Sequence, residues 1–296
     1  GLERGLLRAE RVNARRRMAN DHFEQATRAA MPDDFVTRLF LVRHGAVEGM
    51  ERREVRGQRD VPLSARGRAQ HAELVDWLAA RLATPARPLR ILTSDLSRCR
   101  DLADALSHRL GLQLEAVPAL REQHMGTWQG QTWEAITARE GRGVNDYWDD
   151  YWNAAPPGGE SMATMAARLD EWWRAAAPTF ANQDVVLVTH AGPIRALLAA
   201  FFGLPGDESL RFAPPAATAT IVAHSAAGFV LEGLGLPGAG EAPDPQPATA
   251  RSASAPEPIK ADLTTPVVTP LRIALSGSAG TGKTTLGRAL AKDLGL

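Results

Sequence analysis

The sequence predicts an α/β fold: a three-layer sandwich on a mostly parallel central sheet, followed by a linker and the start of a second strand-loop-helix unit. Three observations carry this expectation. Apolar runs of strand length recur at 38–43, 89–93 and 185–189. Each ends abruptly in polar residues, and each is followed by a segment with helical spacing of its apolar residues. Strands and helices alternating along a chain build parallel sheets covered on both faces.

In chain order, residues 1–36 form an N-terminal extension rich in Arg, Ala and Glu. Its basic run at 11–20 is balanced by Glu3, Glu10, Asp21 and Glu24, so it reads as a solvated helix rather than a patch for an acidic partner. The first strand carries "LFLVRHG" at 39–45 and stops at Arg43, His44 and Gly45. A polar, glycine-bearing loop leads to Ser64, an N-cap for the helix that follows. The second strand hands over through Ser94 and Asp95 to a helix from 96 to 110, closed by Gly111. Arg98 and Arg100 fall near its start, where cations oppose the helix dipole, an arrangement that suits a bound anion there.

A third strand at 113–117 precedes "LREQHMGTWQG", and 131–180 reads as helices with a heavy aromatic load. Trp148 and Trp152 are expected on one helical face, and helix packing explains these aromatics better than a lid over a substrate. "PPGGES" turns the chain into a helix capped by Ser161. The run at 185–189 ends at His190; Gly192 is read as the turn and Pro193 as the first helical position. A closing hairpin around 226–228 follows, with His224 an ordinary strand residue.

Composition narrows the function classes. Lys plus Arg and Asp plus Glu both number 34, so no charge excess points to nucleic acid or an anionic membrane. No apolar run approaches the roughly 20 residues that span a bilayer. The single cysteine, Cys99, fits a reducing, cytoplasmic setting and reads as a small core residue. No metal-ligand spacing appears, and no metal site is expected. Oligomeric state is left open.

Pro, Ala, Gly, Ser and Thr dominate 234–270, which is read as a disordered linker after a domain spanning 37–233. Residues 271–296 then match the opening of a P-loop unit, with Gly277, Gly280, Gly282, Lys283 and Thr284 in the Walker A pattern. Backbone amides there would wrap nucleotide phosphates, so ATP and Mg are the expected cofactors of an intact version. The unit is too short to hold a core, and the chain reads as a fragment of a longer polypeptide.

Strand ends and adjoining loops thus offer Arg43, His44, Arg98, Glu122 and His190. Arginines fork onto phosphate oxygens, a neutral histidine can attack phosphorus, and a carboxylic acid can protonate a leaving alcohol. Those are the parts of a phosphomonoester hydrolase that needs no metal. The ordered set "LVRHG", "GQRDVPLSARG", "TSDLSRCRDLADAL", "LREQHMGTWQG", "PPGGES" and "VTHAGPIRALL" resembles the histidine phosphatase (phosphoglycerate mutase-like) superfamily over 37–233. The resemblance implies that His44 becomes phosphohistidine, that Arg43 and Arg98 bind phosphate, that His190 is the second pocket histidine, and that Glu122 is the general acid. Val47 departs from the family, where Thr or Ser is common, and the loss of one neutral hydrogen bond is worth on the order of 1 kcal/mol. The short, acidic 124–160 region and "PPGGES" look like the phosphatase branch, including α-ribazole phosphatase-like members. The partner expected is a small phosphorylated metabolite. A phosphoglycerate-type mutase and a non-catalytic phospho-ligand sensor fused to an ATP-binding domain are the alternatives.

Overall fold

A computed structural model of the chain describes residues 37–237 apart from 50, 51, 226 and 227. The expected extension at 1–36, the expected linker of 234–270 from 238 onward and the expected P-loop unit at 271–296 lie outside the described residues. Six strands form one sheet in the order β3-β2-β4-β1-β5-β6. They are β1 Thr37–Arg43, β2 Leu89–Thr93, β3 Leu114–Ala116, β4 Gln183–Thr189, β5 Thr218–Ser225 and β6 Gly228–Leu236. Strands β3, β2, β4 and β1 run parallel, whereas β5 pairs antiparallel with β1, and β6 antiparallel with β5. The sheet is therefore mixed, because a tight hairpin can join only antiparallel strands. Strand β6 continues past 233 to the buried Leu236.

The helices are α1 Ala65–Leu82, α2 Ser97–Leu110, α3 Trp133–Glu140, α4 Arg142–Asp149, α5 Met162–Ala176 and α6 Ala191–Phe201. Alternate residues of β1 serve opposite faces. Phe40 and Val42 join Leu74, Leu78, Leu102 and Leu106 of α1 and α2 in one core. Leu39 and Leu41 join Met165, Leu169, Ile194 and Leu197 of α5 and α6 in the other. Both faces are covered, which is why β1 and β4 are continuous apolar runs with no polar alternation. Each such buried side chain contributes about 1.5–3 kcal/mol by leaving water.

Caps fall where the sequence placed them: Ser64 accepts from Gly67 N, and Ser161 from Thr164 N. The expected Trp148–Trp152 helical face does not form. Helix α4 stops at Asp149, and Asp150 Oδ1 takes the Asn153 backbone and side-chain N–H groups, turning the chain out of the helix. Trp148 packs on a third cluster around Trp128, Ile136 and Tyr147, while Trp152 packs on the α5/α6 core. Among the described residues no helix is long and apolar enough to cross a membrane.

Candidate active site

Strands β1 and β4 pair in parallel with Arg43 opposite Thr189, so the next residue on each, His44 and His190, leave the sheet side by side. His44 N donates to Thr189 O at 3.2 Å, extending the ladder by one bond. The two rings meet edge to face with centroids 5.0 Å apart. Thus a shared register brings together residues that are far apart in sequence.

Arg98 reaches both rings from the first turn of α2. Its Nε lies 3.3 Å from His44 Nε2 and 3.3 Å from His190 Nδ1. Its other nitrogens donate to Gly57 O at 2.7 Å and Arg59 O at 3.0 Å, which fixes the guanidinium plane. The N-terminus of α2 is itself capped from afar: Asp60 Oδ1 accepts from Ser97 N at 2.9 Å and Ser97 Oγ at 2.7 Å. Arg43 is buried and donates to Pro214 O at 2.9 Å. Arg100, by contrast, turns outward and bonds Asp104.

Burial, then the charges of Arg98 and Arg43, hold His44 well below the usual histidine range. Burial and Arg98 do the same to His190. Both rings are therefore neutral at neutral pH. His44 Nδ1 sits 2.8 Å from Gly45 O, a partner that only accepts, so the proton is on Nδ1 and Nε2 keeps its lone pair. His190 holds the other tautomer: Nδ1 accepts from Arg98, and Nε2 faces Ser94 Oγ at 2.9 Å.

Glu122 lies on the loop after β3 and meets the start of α6. Its Oε2 accepts from Gly192 N at 3.3 Å and its Oε1 from Gln123 N at 3.1 Å. Arg121 does not compete for it, being bonded to Asp95. Gly192 is not a turn: α6 begins at Ala191, with His190 as its cap and Pro193 at the third position. A proline there costs nothing, because first-turn N–H groups have no helical partner. The glycine instead makes room, since a Cβ at 192 would collide with Glu122 Oε1.

Arg43, His44, Arg98 and Glu122 line a cavity of about 220 Å³. Val47 is in its wall, paired with Leu63 across an isolated bridge. Trp133, Tyr147, Trp148 and Tyr151 line another side, so the aromatic cluster is both helix packing and cavity wall. His190, with no exposed surface, stands behind the cavity. Arg56 and Arg195 also line it; Arg56 falls outside the sequence motifs, and Arg195, inside "VTHAGPIRALL", is given no role there. The thiol of Cys99 is core, as expected, yet it touches His190 Nε2 at 3.4 Å, with burial pushing its pKa up. Among the described residues no cluster of three or more His, Cys, Asp or Glu could hold a metal ion.

A neutral imidazole with a bare Nε2, beside two arginines and a carboxylate, at the carboxyl ends of parallel strands, is a centre for handling phosphoryl groups. The chain belongs to the histidine phosphatase superfamily (branch 1), whose family pattern matches residues 39–236. It is 38% identical over 184 residues to a glucosyl-3-phosphoglycerate phosphatase of Mycolicibacterium vanbaalenii, covering 58% of this chain and 77% of that protein. It is 31% identical over 206 residues to a probable phosphoglycerate mutase of Photorhabdus laumondii, covering 67% and 92%. Among solved structures, a mycobacterial glucosyl-3-phosphoglycerate phosphatase complexed with VO3 superposes with a TM-score of 0.56 at 34% identity, over 62% of this chain and 92% of that one.

Proposed function

We propose that this phosphoric monoester hydrolase works through a phosphohistidine on His44, without a metal, on a small phosphate ester that also carries a carboxylate and a sugar. The observation that carries the mechanism is the tautomer of His44, whose Nδ1 is bonded to Gly45 O, which leaves Nε2 unprotonated against Arg98 Nε in a ring that lines the cavity. A phosphate oxygen entering between the rings takes the Arg98 Nε–H now shared by His44 and His190, and so frees the Nε2 lone pair for in-line attack. Arg43 and Arg98 balance the charge that spreads over the transferring oxygens. Glu122 protonates the departing alkoxide, and as a carboxylate it then takes a proton from the water that attacks phosphohistidine. His190 stands behind Arg98 and helps to hold its guanidinium in place.

The substrate reading leans on the mycobacterial relatives and on the cavity wall. Glucosyl-3-phosphoglycerate joins a phosphate, a carboxylate and a hexose; aromatic faces at Trp133, Trp148 and Tyr151 suit the sugar, and Arg56 and Arg195 suit the carboxylate. A panel of glucosyl-3-phosphoglycerate, α-ribazole phosphate, 3-phosphoglycerate and p-nitrophenyl phosphate, with and without EDTA, tests it. The expected result is the highest kcat/KM on the glucosylated ester, unchanged by EDTA. A higher value on α-ribazole phosphate overturns the substrate, and loss of activity with EDTA overturns the metal-free mechanism.

The mutase-named relative supports a second reading, which interconversion of phosphoglycerates in the presence of a bisphosphate primer would select. An inert protein that still binds phosphate selects the sensor. Gly277, Gly280, Gly282, Lys283 and Thr284 keep their reading as an ATP and Mg site in a longer protein, which nucleotide binding by such a protein tests.

A further inference from the structure

Gly45 is held at both of its backbone polar groups, which belong to the successive peptides on either side of its Cα. Its carbonyl takes the Nδ1–H of His44, and its N–H donates to His71 Nε2 at 2.7 Å. A nitrogen that accepts is unprotonated, so the His71 proton is on Nδ1, which lies 2.7 Å from Asp101 Oδ1. The chain of contacts runs Asp101, His71, Gly45, His44, from α2 through α1 to the end of β1.

Position 71 belongs to the buried stripe of α1, between Gly67 and Leu74, where the helical pattern calls for an apolar residue. A buried imidazole is costly unless both nitrogens are bonded, and here both are. The closeness is enforced by two glycines. A Cβ on Gly45 would come within 2.9 Å of His71 Cδ2, and one on Gly67 would collide with Ala46 O. The one backbone amide this imidazole serves is that of the turn carrying His44.

We propose that Asp101 and His71 are a positioning dyad, which orients the His44 imidazole through the Gly45 backbone and keeps its Nε2 aimed at the incoming phosphate. Asp101 fixes the His71 tautomer, His71 fixes the peptide that joins His44 to Gly45, and the Gly45 carbonyl, in the next peptide, holds the His44 ring. The inference rests on reading His44 as the nucleophile.

The test uses the full chain and p-nitrophenyl phosphate, with ring tautomers followed by long-range proton-nitrogen NMR. His71→Leu is expected to lower kcat about 10- to 100-fold with KM within about threefold, because only the attack geometry is lost. The His44 signal should move from one tautomer to a mixture. His71→Gln, whose side-chain oxygen can accept where Nε2 did, should return kcat to within about threefold of wild type. Asp101→Ala, at a half-exposed position, should cost about three- to tenfold in kcat. A folded His71→Leu with kcat within about twofold of wild type overturns the dyad, as does a loss confined to KM, or a folded His71→Gln as poor as His71→Leu. If His71→Leu does not fold, Asp101→Ala decides, and an unchanged kcat there overturns it. His44→Ala is the control: activity surviving in it unseats the nucleophile itself, whereas an inert His44→Ala beside a fully active His71→Leu unseats the dyad alone.

Discussion

The two strand ends that meet at the cavity are built alike and finished differently. Each is a buried apolar strand that stops at a histidine, and each histidine is neutral because burial and Arg98 oppose its charge. His44 is tied back to its own turn by Nδ1, holds an unprotonated Nε2 against Arg98, and lines the cavity. His190 is tied forward to Ser94 by Nε2, lies against Cys99, and has no exposed surface. In the proposed mechanism the same side chain in the same electrostatic setting serves as an attacking group or a supporting one according to which nitrogen the neighbouring structure occupies.

The strongest way to break this comparison is to remove each ring in turn. His44→Ala is expected to lower kcat on p-nitrophenyl phosphate by more than about 10³-fold and to abolish acid-labile phosphate labelling of the protein. His190→Ala should cost about 10²-fold and keep the label. Labelling that survives in His44→Ala and disappears in His190→Ala would reverse the roles.

Next in size is Gly192→Ala, which forces the Glu122 carboxylate off the start of α6. A loss of about 10²-fold in kcat is expected, larger for substrates with poor leaving groups because they need the proton most. An equal loss for p-nitrophenyl and alkyl esters would remove Glu122 from that role. Ser94→Ala frees the tautomer of His190 and should cost only about fivefold, the worth of one neutral hydrogen bond. A larger effect than that of His190→Ala would mean that Ser94 acts directly.

A further prediction concerns stability against pH. Both histidines have folded-state values below the unfolded one, so the unfolded chain binds more protons as pH falls. Stability is full above about pH 6.5 and declines below it, by about 1.4 kcal/mol per pH unit for each ring that stays neutral. Urea titrations between pH 7 and 5 should show this slope in phosphate-free buffer, and His190→Asn should reduce it. A flat profile would mean that the rings protonate in the folded state.

Much of this was legible in the sequence for a physical reason. Strands buried on both faces are continuous apolar runs, and their ends are marked by whatever polar residue follows, which is how Arg43, His44 and His190 stood out. Arg98 stood out because a cation at a helix start runs against the dipole. The residues that escaped notice have no local signature. His71 sits in an ordinary amphipathic helix, and Asp101 looks like a surface residue of the next. Arg56 reaches the cavity from a loop with no pattern of its own, and Arg195 is hidden in the helix that follows His190, where an arginine reads as solvated surface. Gly192 was misread because a glycine after a strand usually turns the chain, whereas here its missing side chain leaves space for a carboxylate.

The pairing of β1 with β4 has a consequence for how such a protein can change. Because the two histidines follow paired positions on adjacent strands, their separation is inherited from the strand spacing of about 4.8 Å, which backbone hydrogen bonds set in every sheet. The sheet is a ruler. Loops around the cavity can lengthen, shorten or exchange their aromatic residues, while the distance between the two rings stays the same.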